Sequence, residues 1–396
     1  MDFSFSPEQE RFRQEFRLWL AANLPPELRA YDTHFDFVPE SVELFEARRA
    51  FQKKMFEARW MGIWWPPEYG GRGAGLIEQF IYDQEYHRAA VPMLPNFPHI
   101  NQWGPTLMTW GTEAQKRRFL IPMLSGEETW CQGYSEPNAG SDLASLQTRA
   151  VDHGDFFMLE GSKIWTSGAQ WADWMYLLAR TDPTAPKHKG ISCFYLDMKS
   201  PGIELRPLVT MAGHRHFNQV FFDKVRVPRK NLVGPVNEGW RVAMTTLTFE
   251  RAISGGSGHD LQVRRLAELA RAVMIDAKPA WEHQWVRQRL AQLQIDCEAL
   301  KYSALRALTR QLKQLPPGPE QSILKLTGSE LVIRIVKFAS ELLGNYATLD
   351  SPSAAVPDAP RWLNLILNAR MLTIAGGSSE IQHNILGERT LGLPKE

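Results

Sequence analysis

One segment of this sequence places a carboxylate where a core-forming helix is predicted. In TTLTFERAISGG, residues 245–256, Glu250 stands in an otherwise apolar and hydroxyl-bearing run. At the 100° step of a helix, Glu250 lies within about 20° of Ala243 and about 60° of Leu247, on or beside the apolar stripe. A carboxylate there could act as a general base, because losing water makes it more basic. The alternative is a structural ion pair, although adjacent helical positions diverge by about 100° and make Arg251 a poor partner.

Two further segments combine hydroxyl, glycine and aromatic residues. YSEPNAGSDLAS, residues 134–145, crowds Ser135 and Ser141 into a backbone that its proline and glycine keep irregular. Such a loop can turn N–H groups and hydroxyls toward a ligand with many acceptor atoms, or it can be a polar turn between domains. SKIWTSGAQWADW offers Trp165 for stacking on a flat ring and Ser167 for bonding its edge. The alternative is a buried strand tryptophan followed by a turn.

Composition limits the class of protein. The chain has 396 residues, 44% apolar and 22% charged, with a formal net charge of +1. This length predicts two or three domains, and the charge balance argues against nucleic-acid binding. The three cysteines contain no CxxC pair, so they predict neither a metal site nor a disulfide scaffold and fit a reducing compartment. Without a signal peptide or an apolar run of about 18 residues, we expect no membrane insertion and a cytoplasmic location.

The elements that position these segments change type along the chain. Residues 7–125 carry helical periodicity that starts from an N-cap at Ser6. DFFMLEGSKIWTSG, WMYLLART, GISCFYLDM and QVFFDKVRVP are predicted strands, with a bulge or turn at Asp223 and Lys224 where the alternation changes parity. Long helical patterns then return. The sequence therefore predicts an α+β fold with an N-terminal helical domain (1–127), a middle β-barrel-like domain (128–236) and a C-terminal four-helix bundle (237–396).

Four ordered segments resemble the signature blocks of one family. CQGYSEPNAGSDLAS and, farther along, KIWTSGAQWADWMYLLART resemble two blocks of the acyl-CoA dehydrogenases. NEGWRVAMTTLTFER resembles their substrate-facing helix, and IAGGSSEIQHNILGERTLG resembles their C-terminal signature. The order of helices, strands and helices is similar as well, so the resemblance covers essentially the whole chain.

The resemblance implies a flavoprotein that binds FAD and oxidises a fatty or other acyl-CoA to the trans-2-enoyl-CoA. A carboxylate takes the α proton, the β hydride passes to flavin N5, and electrons leave to an electron-transferring flavoprotein. Tyr134, Ser135 and Ser141 match the loop positions that contact flavin and substrate. Trp165 and Ser167 match positions that pack against and hydrogen-bond the flavin ring. The family also implies a tetramer built as a dimer of dimers.

In the family, the catalytic base occupies one of two places. One is a glutamate just before the glycine of the C-terminal block, a position that Gly376 fills in IAGGSSE. The other is the glutamate of an ER pair on the substrate-facing helix, as in isovaleryl and long-chain members, and here that is Glu250. The resemblance therefore selects Glu250 as the base. It leaves Arg251 as a substrate-side or helix-packing residue and places Thr248 and Gly376 beside the substrate.

The FAD contacts outside the middle region match the family less well. Ser378 and Glu380 of the C-terminal block are carried over as cofactor positions, with a structural role as the alternative for Glu380. The Gly-rich turn near the adenosine end of FAD survives only as ELLGNYA, which gives Glu341, Gly344 and Asn345 as candidates. The Arg-containing Phe-Gly turn that reaches a neighbouring subunit's FAD is replaced by AKPAWEHQWVRQRL, so that contact is not transferred.

These departures resemble a bacterial subgroup, some of whose members act on steroid or other bulky acyl-CoA and assemble as heterotetramers with one active chain type. Both a homotetramer and a heterotetramer with a related chain therefore stay open, and a chain that keeps Glu250 would be the active type. The sequence does not specify a branched, long, cyclic or steroid-like acyl group. Alternatives on the same fold are an acyl-CoA oxidase, a flavin-dependent monooxygenase and a non-catalytic FAD-binding subunit.

Overall fold

The structure is a computed structural model that contains helical and sheet regions. It describes residues 5–29, 39, 41–253, 258–315, 318–356 and 358–394. For residues 251–253 it describes the helical backbone and not the side chains. Helices come first, strands follow and helices return, which confirms the predicted α+β class. The chain divides into two compact units, Met1–Glu85 with Ala89–Glu250 and Tyr86–Arg88 with Arg251–Glu396. The domain limits predicted after residues 127 and 236 stay predictions.

Helices precede the sheet in the first unit, and their ends follow the predicted capping signals. They are α1 (Pro7–Asn23), α2 (Pro26–Arg29), α3 (Val42–Glu57), α4 (Leu76–Arg88), α5 (Phe97–Trp110) and α6 (Glu113–Ser125). The Ser6 hydroxyl accepts from the Gln9 amide at 3.2 Å in a capping box, with Pro7 at the first helical position. α6 ends at Gly126, whose φ of +78° closes the helix in the left-handed region.

One sheet follows the helices. Its strands are β1 (Trp130–Gly133), β2 (Arg149–Asp152), β3 (Phe156–Ser167), β4 (Trp174–Arg180), β5 (Ile191–Asp197), β6 (Ile203–Leu208), β7 (Phe217–Pro228) and β8 (Leu232–Val233). The strand order is β6-β7-β3-β2-β4-β5-β8, and β1 lies parallel to β4. The four predicted strands are β3, β4, β5 and β7. The irregularity predicted at Asp223 and Lys224 is a bulge, because the register of β7 against β3 shifts there and Lys224 has a φ of +51°.

Aromatic side chains join the first helices to the sheet. Trp103 of α5 stacks on Tyr176 of β4 with ring centroids 4.4 Å apart. Phe119 of α6 meets Trp130 and Trp174 edge-on, with centroids 5.3 and 5.0 Å apart. Each fully buried large apolar side chain contributes on the order of 2 kcal/mol. This packing holds β4 against α5 and β1 against α6.

The helix α7 (Gly239–Ile253) leads from the sheet into the second unit, which is mainly helical. The elements that follow are α8 (His259–Ala272), β9 (Met274–Ile275), β10 (Lys278–Pro279), α9 (Gln284–Leu312), α10 (Glu320–Leu343), α11 (Ala359–Asn368) and α12 (Ser379–Ile385). α10 packs against α8, α9, α11 and α12, and the side chains that it buries include Leu331, Ile335 and Phe338. It is the central helix of the C-terminal bundle.

Two observations bear on the expected surroundings of the chain. Cys131, Cys193 and Cys297 are free and buried. Burial raises the pKa of the Cys297 thiol to about 12 and the pKa values of Cys131 and Cys193 further still. Among the helices described above, none combines the length and the apolar composition that a membrane crossing needs.

Candidate active site

The helix that carries Glu250 is anchored at its first residue. A side chain at Gly239 would bring its Cβ to 2.4 Å from the backbone carbonyl carbon of Ser192 on β5, closer than such atoms can approach. Only glycine therefore lets α7 begin against β5. Val242 and Ala243 are fully buried, and Glu250 is partly buried. This burial agrees with the predicted placement of Glu250 on or beside the apolar stripe.

One turn before Glu250, Thr246 joins three segments of the first unit, and we name Thr246, Tyr134 and Thr106 the hydroxyl hub. The Tyr134 hydroxyl donates to Thr246 Oγ1 at 3.1 Å, and Thr106 Oγ1 of α5 lies 3.1 Å from the same atom. The Thr246 hydroxyl itself donates to the Val242 carbonyl at 3.2 Å. Because these buried hydroxyls are hydrogen-bonded to one another, the hub fixes α7 against α5 and the end of β1.

Two buried phenols lie within electrostatic range of the Glu250 carboxylate. Burial raises the pKa values of Tyr134 and Tyr176 well above the usual value, and the negative charge of Glu250 adds to both shifts. Burial lowers the pKa of His99 to about 4, and its Nδ1 lies 3.3 Å from the Tyr176 hydroxyl oxygen. All three groups are therefore neutral at physiological pH. The Glu250 carboxylate therefore has two neutral phenol groups, Tyr134 and Tyr176, within electrostatic range, and neither adds a charge.

The loop that follows β1 is held close to β3. The Ile164 amide donates to the Ser135 carbonyl at 2.9 Å, and Glu136 pairs with Ala139 in a short antiparallel bridge. Ser135 is partly buried and Ser141 is exposed. Both serines predicted to meet the cofactor therefore remain accessible from solvent.

Trp165 of β3 is exposed, and its backbone is strained. Its side chain is 58% exposed, and its φ of +61° lies in the left-handed region. Holding a bulky residue there costs on the order of 1–3 kcal/mol, and such outliers cluster at functional sites. The register of β3 against β7 shifts between Lys163 and Thr166, so Trp165 lies in a bulge. Phe217 meets its ring edge-on at 5.7 Å, and Ser167 is exposed two residues farther on.

These features fit the flavin that the family resemblance implies. The exposed Trp165 ring offers a stacking face, and Ser135, Ser141 and Ser167 offer hydroxyls for the polar edge of a heteroaromatic ring. The buried Thr166 hydroxyl, in the same bulge, has no hydrogen-bond partner among the described residues. Among the residues that the structure describes, no three His, Cys, Asp or Glu side chains are arranged to hold a metal ion.

In the second unit, the predicted residues of ELLGNYA lie at the end of α10. Gly344 ends the helix with a φ of +53°, and Asn345 is exposed in the turn that follows. Glu341 forms an ion pair with Arg289 of α9 at 3.4 Å. Backbone conformation and ion pairing thus give Gly344 and Glu341 structural roles. A cofactor role for the three residues stays a prediction.

The IAGGSSE turn folds onto the start of α12. Ser378 caps this helix by accepting from the Ile381 amide at 3.3 Å, and a hydrogen bond with Ser378 lowers the pKa of the exposed Glu380. Gly376 has a φ of +67°, and its carbonyl accepts from Nε2 of the buried Gln382 at 3.2 Å. These contacts support the structural alternative for Glu380. The cofactor roles of Ser378 and Glu380 and the substrate role of Gly376 stay predictions.

The other predicted substrate residues lie on α7. Thr248 is exposed, and its hydroxyl donates to the Met244 carbonyl of the same helix at 2.8 Å. The side chain of Arg251 lies outside the described part of the structure. Within the first unit, the structure places Thr246 and Tyr134 together, with Glu250 in electrostatic range. A substrate role for Thr248 and Arg251 stays a prediction.

Sequence reasoning missed several residues of this site. Thr246 lies four residues before Glu250 in the same predicted helix, so helical spacing could have indicated it. Tyr176 and His99 come from β4 and α5, and no local spacing signals their contact. Lys163 stands in the same quoted segment as Trp165, and a lysine within a strand-forming run is the signal that could have found it.

Three family models match consecutive parts of the chain. The matching family models are Acyl-CoA dehydrogenase, N-terminal domain over residues 6–127, Acyl-CoA dehydrogenase, middle domain over 131–225 and Acyl-CoA dehydrogenase, C-terminal domain over 237–391. These matches include the segments that carry the sequence resemblance.

Individual relatives match over the whole length. The chain is 37% identical over 389 residues to acyl-CoA dehydrogenase IpdE1 of Mycobacterium tuberculosis, which covers 98% of both chains. A chain of the ChsE4-ChsE5 complex from Mycobacterium tuberculosis is 33% identical, with a TM-score of 0.85 and 100% of both chains covered. A chain of the Tcur3481-Tcur3483 steroid ACAD is 33% identical, with a TM-score of 0.86 and the same coverage. The chain therefore belongs to the acyl-CoA dehydrogenase family and is an oxidoreductase that dehydrogenates acyl-CoA.

Proposed function

We propose that this chain is an FAD-dependent catalytic subunit with Glu250 as the base for α-proton abstraction. The observation that carries the proposal is the place of Glu250, partly buried one turn past Thr246 and near two neutral phenols. The other position that the family uses for a base is Gly376 here, which offers no side chain. A non-catalytic subunit has no need of a carboxylate on α7.

The Glu250 carboxylate would accept the α proton of the acyl-CoA thioester. The electron pair of that C–H bond moves into the new α,β double bond, and the β hydrogen leaves with its electron pair as hydride. FAD, when bound, supplies the acceptor for that hydride. Because Tyr134 and Tyr176 stay protonated, they add no second negative charge beside Glu250. Partial burial limits the water that could compete with substrate for the carboxylate.

The exposed bulge of β3 and the loop after β1 would hold the flavin. Trp165 supplies the stacking face, while Ser135, Ser141 and Ser167 supply hydroxyls. Tyr134 belongs to the hydroxyl hub and is buried, and the flavin contact that its family position implies is proposed here as well. Further cofactor contacts are proposed for Glu341, Gly344, Asn345, Ser378 and Glu380, and further substrate contacts for Thr248, Arg251 and Gly376.

The names of the relatives support a substrate class and an assembly. One structure at 33% identity is described as a steroid ACAD and another as a complex of two named chains. We extend to this chain a bulky, steroid-like acyl-CoA substrate and a tetramer, formed with identical subunits or with a related chain. Electrons would leave to an electron-transferring flavoprotein. Three free, buried thiols fit a reducing, cytoplasmic location.

Glu250→Gln tests the proposed base. We expect the rate of flavin reduction by acyl-CoA to fall about 10²–10⁴-fold, while FAD and acyl-CoA binding change little because glutamine has nearly the same shape. Stopped-flow absorbance under anaerobic conditions measures the rate. The matched control is Glu238→Gln, which removes a partly exposed carboxylate that pairs with Arg241 near the start of α7. Turnover that survives Glu250→Gln would remove Glu250 from the mechanism.

An anaerobic titration tests the reaction itself. The purified protein with bound FAD is titrated with short, branched, long and steroid-like acyl-CoA thioesters while the visible flavin band is followed. Bleaching by the steroid-like member supports the proposed reaction and substrate class. If no thioester bleaches bound FAD, the proposal of a catalytic subunit is wrong. Rapid reoxidation by oxygen would instead identify an acyl-CoA oxidase.

A further inference from the structure

A buried ion pair lies behind the loop that follows β1. Lys163 of β3 is fully buried, and its Nζ lies 2.7 Å from Glu136 Oε1 and donates to the Tyr134 carbonyl at 3.1 Å. Glu136 is only 8% exposed. We name this pair the Lys163–Glu136 clamp. Burying two charges carries a large desolvation cost, so such a pair is weak evidence for stability alone. The proton and hydride transfers proposed above do not use either group.

Glu136 closes the loop on itself. Its Oε2 accepts from the Gln147 amide at 2.6 Å, and its Oε1 accepts from the Thr148 amide at 2.9 Å. The Glu136 backbone also exchanges hydrogen bonds with Ala139. One carboxylate therefore fixes the beginning and the end of residues 136–148, and the proposed flavin-binding Ser141 lies between them.

The clamp also connects this loop to the bulge at Trp165. Lys163 is the last residue of β3 in regular register before the bulge, and regular pairing resumes at Thr166. The next residue, Ile164, donates its amide to the Ser135 carbonyl at 2.9 Å. Through Lys163 and Ile164, the backbone that carries Ser135 is tied directly to the backbone that carries Trp165.

Charge strengthens this connection at neutral pH. Burial lowers the pKa of Lys163 to about 8 against the attraction of Glu136, so Lys163 stays charged. Burial alone would raise the pKa of Glu136, but Lys163 and the donors of Thr148 and Gln147 outweigh it and lower that pKa. The positive charge of Arg180 on β4 also acts on Lys163 and lowers its pKa. Both members of the clamp are therefore ionised at neutral pH.

We infer that Lys163 and Glu136 are positioning residues that hold Ser135, Ser141 and Trp165 in their FAD-binding arrangement before the cofactor arrives. The inference rests on the proposed function, because it assigns the flavin to these three residues. A loop that is ordered in advance does not have to lose conformational freedom on binding, which increases affinity. A clamp that served stability alone would change FAD affinity only by changing the fraction of folded protein.

Two single variants and their combination separate these possibilities. Lys163→Met, Glu136→Gln and the double variant are made in the full chain, and we measure the apoprotein Tm and the Kd for FAD by fluorescence titration. Each single variant should lower the Tm, because one buried charge loses its partner. Each should also weaken FAD binding by about tenfold or more. The double variant should recover most of the Tm but not the affinity, because glutamine has fewer acceptor sites than a carboxylate for the amides of Gln147 and Thr148.

Lys187→Met is the matched control. Lys187 pairs with Asp142 of the same loop, but the two side chains are 48% and 57% exposed. Exposed pairs contribute little, so we expect a change in FAD affinity of less than about twofold. A loss of affinity as large as that of Lys163→Met would show that any charge change near the loop has this effect, and would contradict the inference.

Amide hydrogen exchange provides a readout without cofactor. In the apoprotein, exchange at Gln147 and Thr148 should be faster in Glu136→Gln than in the wild type, and unchanged exchange would contradict the clamp. A folded double variant with wild-type FAD affinity would overturn the inference. If Lys163→Met does not fold, the Tm and the Kd for FAD of Glu136→Gln and of the double variant test the inference in the same way. A wild-type chain that takes up no FAD would instead reject the proposed function, while the exchange measurement still tests the clamp.

Discussion

The two sides of the candidate site are held by different kinds of contact. Near Glu250, the hydroxyl hub around Thr246 joins neutral groups with oxygens 3.1 Å apart. Near Trp165, the Lys163–Glu136 clamp is a buried ion pair with an N–O distance of 2.7 Å. The difference matches the proposed tasks, because a base must change its charge during the reaction whereas a flavin-binding loop must only keep its shape.

The magnitudes show why charge would be harmful beside a base. A unit charge 4 Å from a carboxylate changes its energy by about 4 kcal/mol at an effective dielectric constant near 20. That energy corresponds to about three pKa units. Neutral groups such as Thr246, Thr106 and Tyr134 can position α7 without imposing such a shift on Glu250. Position and protonation can therefore be controlled by separate groups.

Thr246→Val removes the central hydroxyl of the hydroxyl hub. Among the changes proposed at Thr246, Trp165 and Asp83, we expect it to have the largest effect. The Tyr134 hydroxyl loses its acceptor in a buried place, which costs about 1–3 kcal/mol of stability. Thr106 loses less, because its hydroxyl lies 2.7 Å from the Gln102 carbonyl. Loosening of α7 should also slow flavin reduction by about tenfold or more. Chemical denaturation and stopped-flow absorbance measure the two quantities.

The control for this change is Thr109→Val on α5. Thr109 is exposed, and its hydroxyl bonds to the Pro105 carbonyl of its own helix at 2.9 Å. Its loss should cost less than about 0.5 kcal/mol. If Thr246→Val lowers stability but leaves the reduction rate unchanged, the hub supports the fold without positioning Glu250.

Substitutions of Trp165 test the proposed flavin-binding part of the site. Trp165→Ala should weaken FAD binding by about 1 kcal/mol, or about fivefold in Kd, because the stacking face is lost. Trp165→Phe should restore part of that affinity. Trp165→Gly should give an apoprotein with a higher Tm than Trp165→Ala, since glycine adopts a positive φ without strain. FAD content that is unchanged after gel filtration of the alanine variant would show that Trp165 does not bind the flavin.

Asp83, a partly buried carboxyl of α4, extends the comparison and should give the smallest effect. Burial raises the pKa of Asp83 of α4 to about 7, whereas the pKa of Glu136, which has a lysine partner, is lowered. The folded pKa of Asp83 exceeds its unfolded value, so its contribution to stability is present below the unfolded pKa and is lost as the pH rises through about 7. Asp83→Asn should therefore equal the wild type near pH 4 and exceed its Tm near pH 8, by about 1–3 °C. Equal differences in Tm at both pH values would contradict this assignment.

Apolar periodicity and helix-capping signals in the sequence were sufficient to predict much of the fold. The apolar spacing of α7 and the alternation of β3 and β7 predict those elements, and the residue types around Ser6 predict the cap that is found. β6 (IELRPL) was not among the predicted strands, because its apolar and polar residues alternate over only four positions before Pro207. It is a strand because it pairs with β7 along its whole length.

The candidate site was predictable only where one segment carries the information. Glu250 follows from a local pattern and from the resemblance, whereas the hydroxyl hub joins residues 106, 134 and 246 from three separate segments. The positive φ of Trp165 depends on two strands shifting register, which no single segment encodes. Long-range pairing is thus what the sequence alone left undetermined.

The burial of all three cysteines has a practical consequence for spectroscopy. A thiol couples to maleimide dyes as an accessible thiolate, and Cys131, Cys193 and Cys297 are buried with raised pKa values. A single cysteine introduced at an exposed position such as Lys187 can therefore be labelled selectively in the native chain, with the natural cysteines left in place. A dye there would report the ordering of the neighbouring loop in real time, because the label replaces the exposed Lys187–Asp142 pair and leaves the Lys163–Glu136 clamp unchanged.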